Sequence, residues 1–361
     1  MEPLNRLAPR RSWNRRDLLA QFLAWPLAAG IARQSLGAEA ERDEPATRFE
    51  LVSVRKIWSG AGHNAFTGLI RHRDRWLCVF REGSGHIPGT DGQIRVIASP
   101  DGKAWSSVAA LTLDGVDLRD PKISLMPDGR LMILMGGSIY SGKNGETGRK
   151  RTGARARVSF STDGTGWTPP KAISIENQWL WRVTWHEGAG YGFGYRIDEK
   201  AGTSEFALWK TTDGLHYERV VDPELPRGTL ANETTIRFLA DGTMLALVRN
   251  EASKKRGNAL VGFSARAPYD RWRWIDAGRP AQGPDVLVLA DGRILYGGRD
   301  FPDGARTVLG VLSDGPPLPR LTLPGEAMPR IRGSPGTTGG CGRVTAPRTR
   351  GGRRSTWPRF G

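Results

Sequence analysis

Short apolar runs alternate with turn signals across the middle of the chain, from about residue 49 to residue 325. Asp-Gly pairs separate two apolar runs in LMPDGRLMIL, FLADGTMLAL and VLADGRILYG. Such a pair is a strong hairpin signal, because glycine accepts a positive φ without steric cost. Further strand-like runs flank each hairpin. The pattern therefore predicts repeated units of about 50 residues with four antiparallel strands each, which is typical of propeller blades.

A second pattern, Ser/Thr-x-Asp-Gly-x-x-aromatic, occurs three times: SPDGKAWS from Ser99, STDGTGWT from Ser161 and TTDGLHYE from Thr211. The Asp carboxylate of such a segment can accept hydrogen bonds from the backbone of its own turn, while glycine supplies the bend. The aromatic side chain can fold back over the hairpin and bury a large face. The repeats predict a hairpin clasp in successive units, and they report architecture rather than chemistry.

Five blades can be read from these signals, at residues 49–110, 111–175, 176–222, 223–278 and 279–325. A content of 47 Gly and 13 Trp agrees with an all-β protein rich in turns. We expect an all-β, six-bladed propeller whose sixth blade would fall where residues 326–361 stand. That segment is rich in Arg, Gly and Pro, and it has two open interpretations: a disordered basic tail, or the product of a frameshift that replaced the last blade.

The first 40 residues have the layout of an export signal, and residues 41–325 then form the propeller domain. Arg15-Arg16 and the apolar run from Leu18 to Ala32 resemble the twin-arginine signal of bacteria, and Ala38-Glu39-Ala40 offers a cleavage site. The apolar run is short for a membrane span, so we expect none after cleavage. An N-terminal anchor helix is the alternative. Either way, the sequence predicts a periplasmic or secreted protein.

The formal net charge is +16, which invites comparison with nucleic-acid-binding proteins. Much of the excess lies at the ends, since residues 326–361 alone hold eight Arg and one acidic residue. The chain has no helix-turn-helix, zinc-finger or RNP pattern, so we expect no nucleic-acid partner. A modestly basic body suits an anionic small molecule. With two cysteines and no metal-ligand spacing, the sequence predicts no metal and no cofactor.

The Ser/Thr-x-Asp-Gly-x-x-aromatic segments resemble the Asp boxes of the sialidase superfamily, whose members are six-bladed β-propellers. The resemblance covers about residues 50–320. It implies an activity on terminal sialic acid or a related acidic sugar, whose carboxylate is held by three arginines. Guanidinium groups suit that task because their planar forks match a carboxylate and stay charged.

By this resemblance the substrate-binding arginines are Arg81, Arg249 and Arg299. Arg249 and Arg299 each stand eight residues beyond the Asp of a hairpin turn. Glu233, which precedes Arg249 by 16 residues, corresponds to the glutamate that activates the tyrosine nucleophile of sialidases. That tyrosine should follow the third arginine, yet no Tyr occurs from Asp300 onward.

The acid/base residue has two candidates. Asp91 lies in the loop after Arg81, together with His86, and Asp120 stands before a proline that favours extended backbone. Asp120 in a structural turn is the alternative. Asn64, next to His63, and His186 are polar residues at the start of blades, where inner strands would line a central site.

The leading hypothesis is therefore an exported sialidase-like glycoside hydrolase that binds sialic acid or another acidic glycan. The missing tyrosine favours an alternative, a non-catalytic glycan-binding or interaction propeller. A glycosidase or lyase of different specificity on the same scaffold is a third hypothesis. The enzyme question and the oligomeric state are left open by the sequence.

Overall fold

The computed structural model describes residues 49–86, 89–198, 200–252, 257–301, 304–312 and 321–324. Within these ranges the regular secondary structure is entirely β, in five antiparallel sheets. The predicted signal at 1–40, the basic segment at 326–361 and the sixth blade lie outside the described residues. Those three expectations stay predictions.

The strands follow chain order in every sheet. The first sheet consists of β1 (His63–His72), β2 (Arg75–Gly83), β3 (Gln93–Ser99) and β4 (Ser106–Leu111). The second consists of β5 (Asp117–Leu125), β6 (Leu131–Tyr140), β7 (Arg151–Ser161) and β8 (Lys171–Ala172). The third contains β9 (Trp179–Leu180), β10 (Thr184–His186), β11 (Ala189–Asp198), β12 (Thr203–Thr211) and β13 (Tyr217–Val221).

The fourth sheet consists of β14 (Ala231–Phe238), β15 (Met244–Asn250), β16 (Leu260–Ser264) and β17 (Arg273–Asp276). The fifth consists of β18 (Gln282–Val288), β19 (Ile294–Asp300), β20 (Arg306–Leu312) and β21 (Leu321–Thr322). Each sheet falls within one of the five predicted blades to within a residue or two. The β-propeller prediction is confirmed for the part of the chain that is described.

The core lies between neighbouring blades, because alternate residues of each middle strand face opposite sides of the sheet. Leu131 and Ile133 of β6 pack with Leu77 of β2, whereas Met132 and Leu134 pack in the cluster shared with the third sheet. β15 of the fourth sheet repeats this alternation, with Met244 and Ala246 in one cluster and Leu245 and Leu247 in the next. Both faces of these strands are buried, which explains their continuous apolar sequences.

The predicted hairpin clasps form as expected. In the second copy, Ser161 Oγ accepts a hydrogen bond of 2.8 Å from Gly164 N, and Asp163 Oδ1 accepts one of 2.8 Å from Thr165 N. The first and third copies have the same bonds around Asp101 and Asp213. The side-chain oxygens thus satisfy turn amides at the outer edge of three blades.

Candidate functional site

The first strand of every sheet is irregular at a corresponding point. β1, β5, β14 and β18 each carry a bulge in which two residues oppose one residue of the next strand. In the third sheet, β9 and β10 both pair with β11, and residues 181–183 interrupt them. A bulge bends a strand and re-aims its side chains. The bulge residues are Phe66-Thr67, Asp120-Pro121, Asn232-Glu233 and Gly283-Pro284.

Three bulges begin with a residue of positive φ: 64° at Phe66, 50° at Asp120 and 61° at Gly283. Glycine adopts this region freely, and Asp tolerates it, but a bulky aromatic residue such as Phe66 is an outlier there. Backbone strain of this kind persists where the surroundings enforce it, and it clusters at functional sites. The four bulges of the first strands, called the bulge ring below, therefore form the candidate functional site of the described structure.

Asp120 is half-buried in the bulge of β5. Burial raises the pKa of its carboxyl from 3.8 to about 6, and the nearby Glu233 carboxylate adds to this rise. Arg119 and Lys122 oppose the rise without cancelling it. A carboxyl with a pKa near 6 can hold a proton at mildly acidic pH and give it up, which is the property of a general acid.

Glu233 lies in the bulge of β14 and has two partners. Its Oε2 lies 2.7 Å from Arg249 Nη1 and accepts a hydrogen bond of 2.9 Å from Gly283 N, in the bulge of the next blade. Arg249 also forms an ion pair with Glu251. Glu233 is thus held between two blades, with 13% of its side chain exposed.

Lys122 follows the bulge of β5 and is 4% exposed. Its Nζ lies 4.1 Å from the ring centroid of Trp181 and donates a hydrogen bond to Pro121 O. Burial lowers the pKa of Lys122 to about 8, with a further lowering from Arg182, while Asp120 and Glu233 act in the opposite direction. Neither Lys122 nor Trp181 was among the site residues predicted from sequence, although Lys122 directly follows the segment that contains the candidate Asp120.

Arg81 does not occupy a position that a substrate carboxylate could reach. Its side chain is 1% exposed, and Asp117 Oδ1 accepts its Nε hydrogen bond at 2.9 Å. Its terminal nitrogens donate to the carbonyls of Gly85 and Thr90. Asp117 is itself shared with Arg119 at 3.0 Å. The buried ion pair explains the placement, because an unpaired guanidinium could not be buried so completely.

Arg299 is half-buried and donates two hydrogen bonds to Gln282 Oε1, of 2.6 and 3.1 Å. Arg81 and Arg299 each pair with the residue that precedes a bulge, whereas Arg249 lies opposite the bulge itself. The equal spacing from the hairpin turns correctly predicts that the arginines lie near strand ends. It does not show that Arg249 faces a bulge while Arg81 and Arg299 face the residue before one.

The other predicted site residues have partners other than the bulge carboxylates. Asp91 forms an ion pair of 2.8 Å with Arg149, and its side chain is 11% exposed. Asn64 is buried beside the bulge of β1 and donates to Ala61 O. His186 stacks on Phe238 with a centroid distance of 4.0 Å, three residues beyond the interruption at 181–183. A strand advances about 3.3 Å per residue, which carries His186 towards the hairpin end.

Two described tyrosines are candidates for the nucleophile, because the sequence has no Tyr from Asp300 onward. Tyr296 packs in the core between the fourth and fifth sheets, so it does not serve the site. Tyr195 of β11 is half-buried, and burial raises the pKa of its hydroxyl well above 10, with contributions from Glu233 and Asp120. Tyr195 packs against the core cluster shared by the third and fourth sheets, and the two carboxylates act on it as nearby charges.

Among the described residues, no group of three or more His, Cys, Asp and Glu side chains could hold a metal ion. The same part of the chain has no helix long and apolar enough to cross a membrane.

No family model matches the chain, and no curated protein matches it. Solved structures do. One is a protein of unknown function from Dyadobacter fermentans DSM 18053, with 17% identity and a TM-score of 0.64, covering 76% of this chain and 87% of that chain. Another is the intramolecular trans-sialidase from Ruminococcus gnavus in complex with oseltamivir carboxylate, with 11% identity, a TM-score of 0.53, and coverage of 75% and 86%.

A third similar structure is the K499G mutant of the NanB sialidase from Streptococcus pneumoniae, with 12% identity and a TM-score of 0.51. The match covers 73% of this chain and 61% of that chain. At these identities the likeness concerns the fold alone. The chain shares its β-propeller architecture with sialidases.

Proposed function

We propose that this protein is an exported sialidase-like glycoside hydrolase that acts on terminal sialic acid or a related acidic sugar. The observation that carries the proposal is Asp120, a half-buried carboxyl with a pKa of about 6 in a strained bulge near Glu233. The three clasp segments and the propeller likeness to sialidases support the same class. Export rests on the sequence of residues 1–40 alone.

In the proposed reaction, Asp120 donates its proton to the glycosidic oxygen as the bond to the leaving group breaks. Glu233 accepts a proton from the attacking group, which is either water or the hydroxyl of a tyrosine. If tyrosine attacks, water then cleaves the glycosyl–tyrosine bond, Asp120 takes the proton of that water, and the phenolate regains its proton from Glu233. Tyr195 is the described tyrosine whose pKa responds to both carboxylates. When water attacks directly, the two carboxyl groups complete the reaction between them, and the proton taken by Glu233 balances the one lost by Asp120.

The proposal is tested with a fluorogenic sialoside and with glucuronide and galactoside analogues. We expect wild type to release the fluorophore from an acidic glycoside. We expect Asp120→Asn to lose at least a hundredfold in kcat, because a general acid typically contributes that much or more. Asp114→Asn is the matched control, since Asp114 is an exposed loop carboxyl. Equal rates for the two variants would remove Asp120 from the mechanism.

A non-catalytic glycan-binding propeller is the second candidate. It is favoured by the ion pairs that occupy Arg81 and Arg249 and by the absence of Tyr from Asp300 onward in the sequence. The two functions differ in one outcome: this candidate predicts sialoside binding without release of product. In both cases Arg249→Ala should weaken binding, and unchanged binding would remove Arg249 from the site.

A further inference from the structure

Two histidines beside the bulge of β1 have ring nitrogens whose roles the structure determines. His63 Nδ1 lies 3.3 Å from Arg81 Nη1, and His86 Nδ1 lies 3.1 Å from Arg119 Nη2. A guanidinium can only donate hydrogen bonds, so both Nδ1 atoms must accept. Each imidazole is therefore neutral and carries its proton on Nε2.

The surroundings hold both rings in this state. Burial lowers the pKa of His63 to about 4, with further lowering from Arg81 and Arg119, and only Asp117 opposes it. Burial likewise lowers the pKa of His86 to about 3. The nearby Arg119, His63, Arg81 and Arg299 lower this pKa further, in that order. Across the small cavity beside His86 lie Asp91, Tyr140 and Arg149. Both rings stay uncharged throughout the physiological pH range.

The two Nε2–H groups donate no hydrogen bond within the described part of the chain. Neither has a hydrogen-bond partner among the described residues, and neither is among the buried polar atoms that lack one, so both reach solvent. The two ring centroids lie 5.6 Å apart. Phe66 lies against both rings, at 6.1 and 5.5 Å, and Arg119 lies 5.6 Å from the Phe66 ring. The strained bulge thus packs against both donor rings, whose planes are inclined to each other by 43°.

We propose that His63 and His86 form a binding subsite that donates two Nε2–H hydrogen bonds to oxygen atoms of a sugar ligand. The proposal rests on the proposed function for the class of ligand. It gives Arg81 a different task from the one the sequence suggested: Arg81 and Arg119 are positioning residues that orient the imidazoles. A subsite with two donors and no acceptor selects an acceptor oxygen, either a carboxylate or a hydroxyl group.

Binding and turnover are measured separately. Titration calorimetry with N-acetylneuraminic acid, glucuronic acid and galactose compares wild type with His86→Phe, His86→Gln and His63→Phe. Phe keeps the ring and removes the donor, whereas Gln keeps a donor close to the Nε2 position. We expect about a fivefold to tenfold loss of affinity in each Phe variant and recovery in His86→Gln. His216→Phe, at an exposed histidine of an outer turn, should bind as wild type does.

Acid-selective binding identifies the acceptor as a carboxylate, and binding of all three sugars identifies it as a hydroxyl; each outcome supports the subsite. Binding by the Phe variants that equals wild type, or no binding of any of these sugars by wild type, overturns it.

The ¹⁵N shifts of the imidazoles provide a readout independent of activity: both rings should be Nε2–H tautomers from pH 5 to 8, and an Nδ1–H tautomer contradicts the proposal. Hydrolysis that survives unchanged in both Phe variants would refute the subsite and leave the proposed function standing.

Discussion

Replacing Asp120 by Asn should make the protein more stable at neutral pH while removing its activity. Asn has nearly the same size as Asp and tolerates the positive φ of 50° at this position, so the backbone of the bulge should be retained. What changes is the charge. At pH 7 the wild-type carboxyl is ionised in a site that disfavours ionisation, and the Asn side chain carries no such cost.

The magnitude follows from the pKa of Asp120. Its displacement from 3.8 to about 6 corresponds to ~3 kcal/mol of unfavourable free energy for the ionised form in the folded state. The folded protein binds this proton more tightly than the unfolded chain does. The contribution of Asp120 to the free energy of unfolding is therefore fully present below about pH 4. It is lost as the pH rises towards 6, and it does not change further above that pH.

Urea unfolding at pH 4, 5, 6 and 7 tests this reasoning. We expect Asp120→Asn to exceed wild type by up to ~3 kcal/mol in free energy of unfolding at pH 7, and the gap to close towards pH 4. Asp114→Asn should follow wild type at every pH. A variant that is less stable than wild type at pH 7, or a gap that does not change with pH, would refute the burial argument.

Three further predictions concern other parts of the blades. Ser161→Ala should lower the free energy of unfolding by ~1–3 kcal/mol, because the buried Gly164 N–H loses its acceptor; urea denaturation measures this, and an unchanged midpoint would contradict it. Gly136→Ala should cost ~1–3 kcal/mol, since an added Cβ would overlap the ring of Trp179. A melting temperature equal to wild type would show that the ring can move. Lys122→Met should abolish a rise in stability between about pH 8 and 10.5, the range in which the buried wild-type ammonium loses its proton before the unfolded chain does. Persistence of that rise in the variant would assign it to another group.

The fold was predictable because its signals are local. Asp-Gly hairpins, strand-length apolar runs and the three clasps each depend on a few neighbouring residues, and together they located five blades. The clasp is the clearest case, since Ser161, Asp163 and Gly164 satisfy one another within a single turn. The alternation of β6 between two cores likewise follows from a period of two.

The site was only partly predictable, because it depends on contacts between blades. Glu233 and Asp120 were identified from sequence, and the structure brings both to the bulge ring. The burial of Arg81 could not be read from CVFREGSG, since its partner Asp117 lies 36 residues away. Nor does the sequence show bulges directly: HNAFTGL and DLRDPK contain them, and only the register of β1 with β2 and of β5 with β6 reveals which residues are re-aimed.

The pH dependence of kcat/KM for hydrolysis of an acidic glycoside tests the central claim most directly, because it reports the essential acid of the free enzyme. The account predicts a rate that falls as the pH rises through about 6, where Asp120 loses its proton, and a loss of at least a hundredfold in Asp120→Asn below that pH, which narrows as the wild-type rate falls. A flat profile from pH 5 to 8, or no hydrolysis of any acidic glycoside by the wild-type protein, would contradict it.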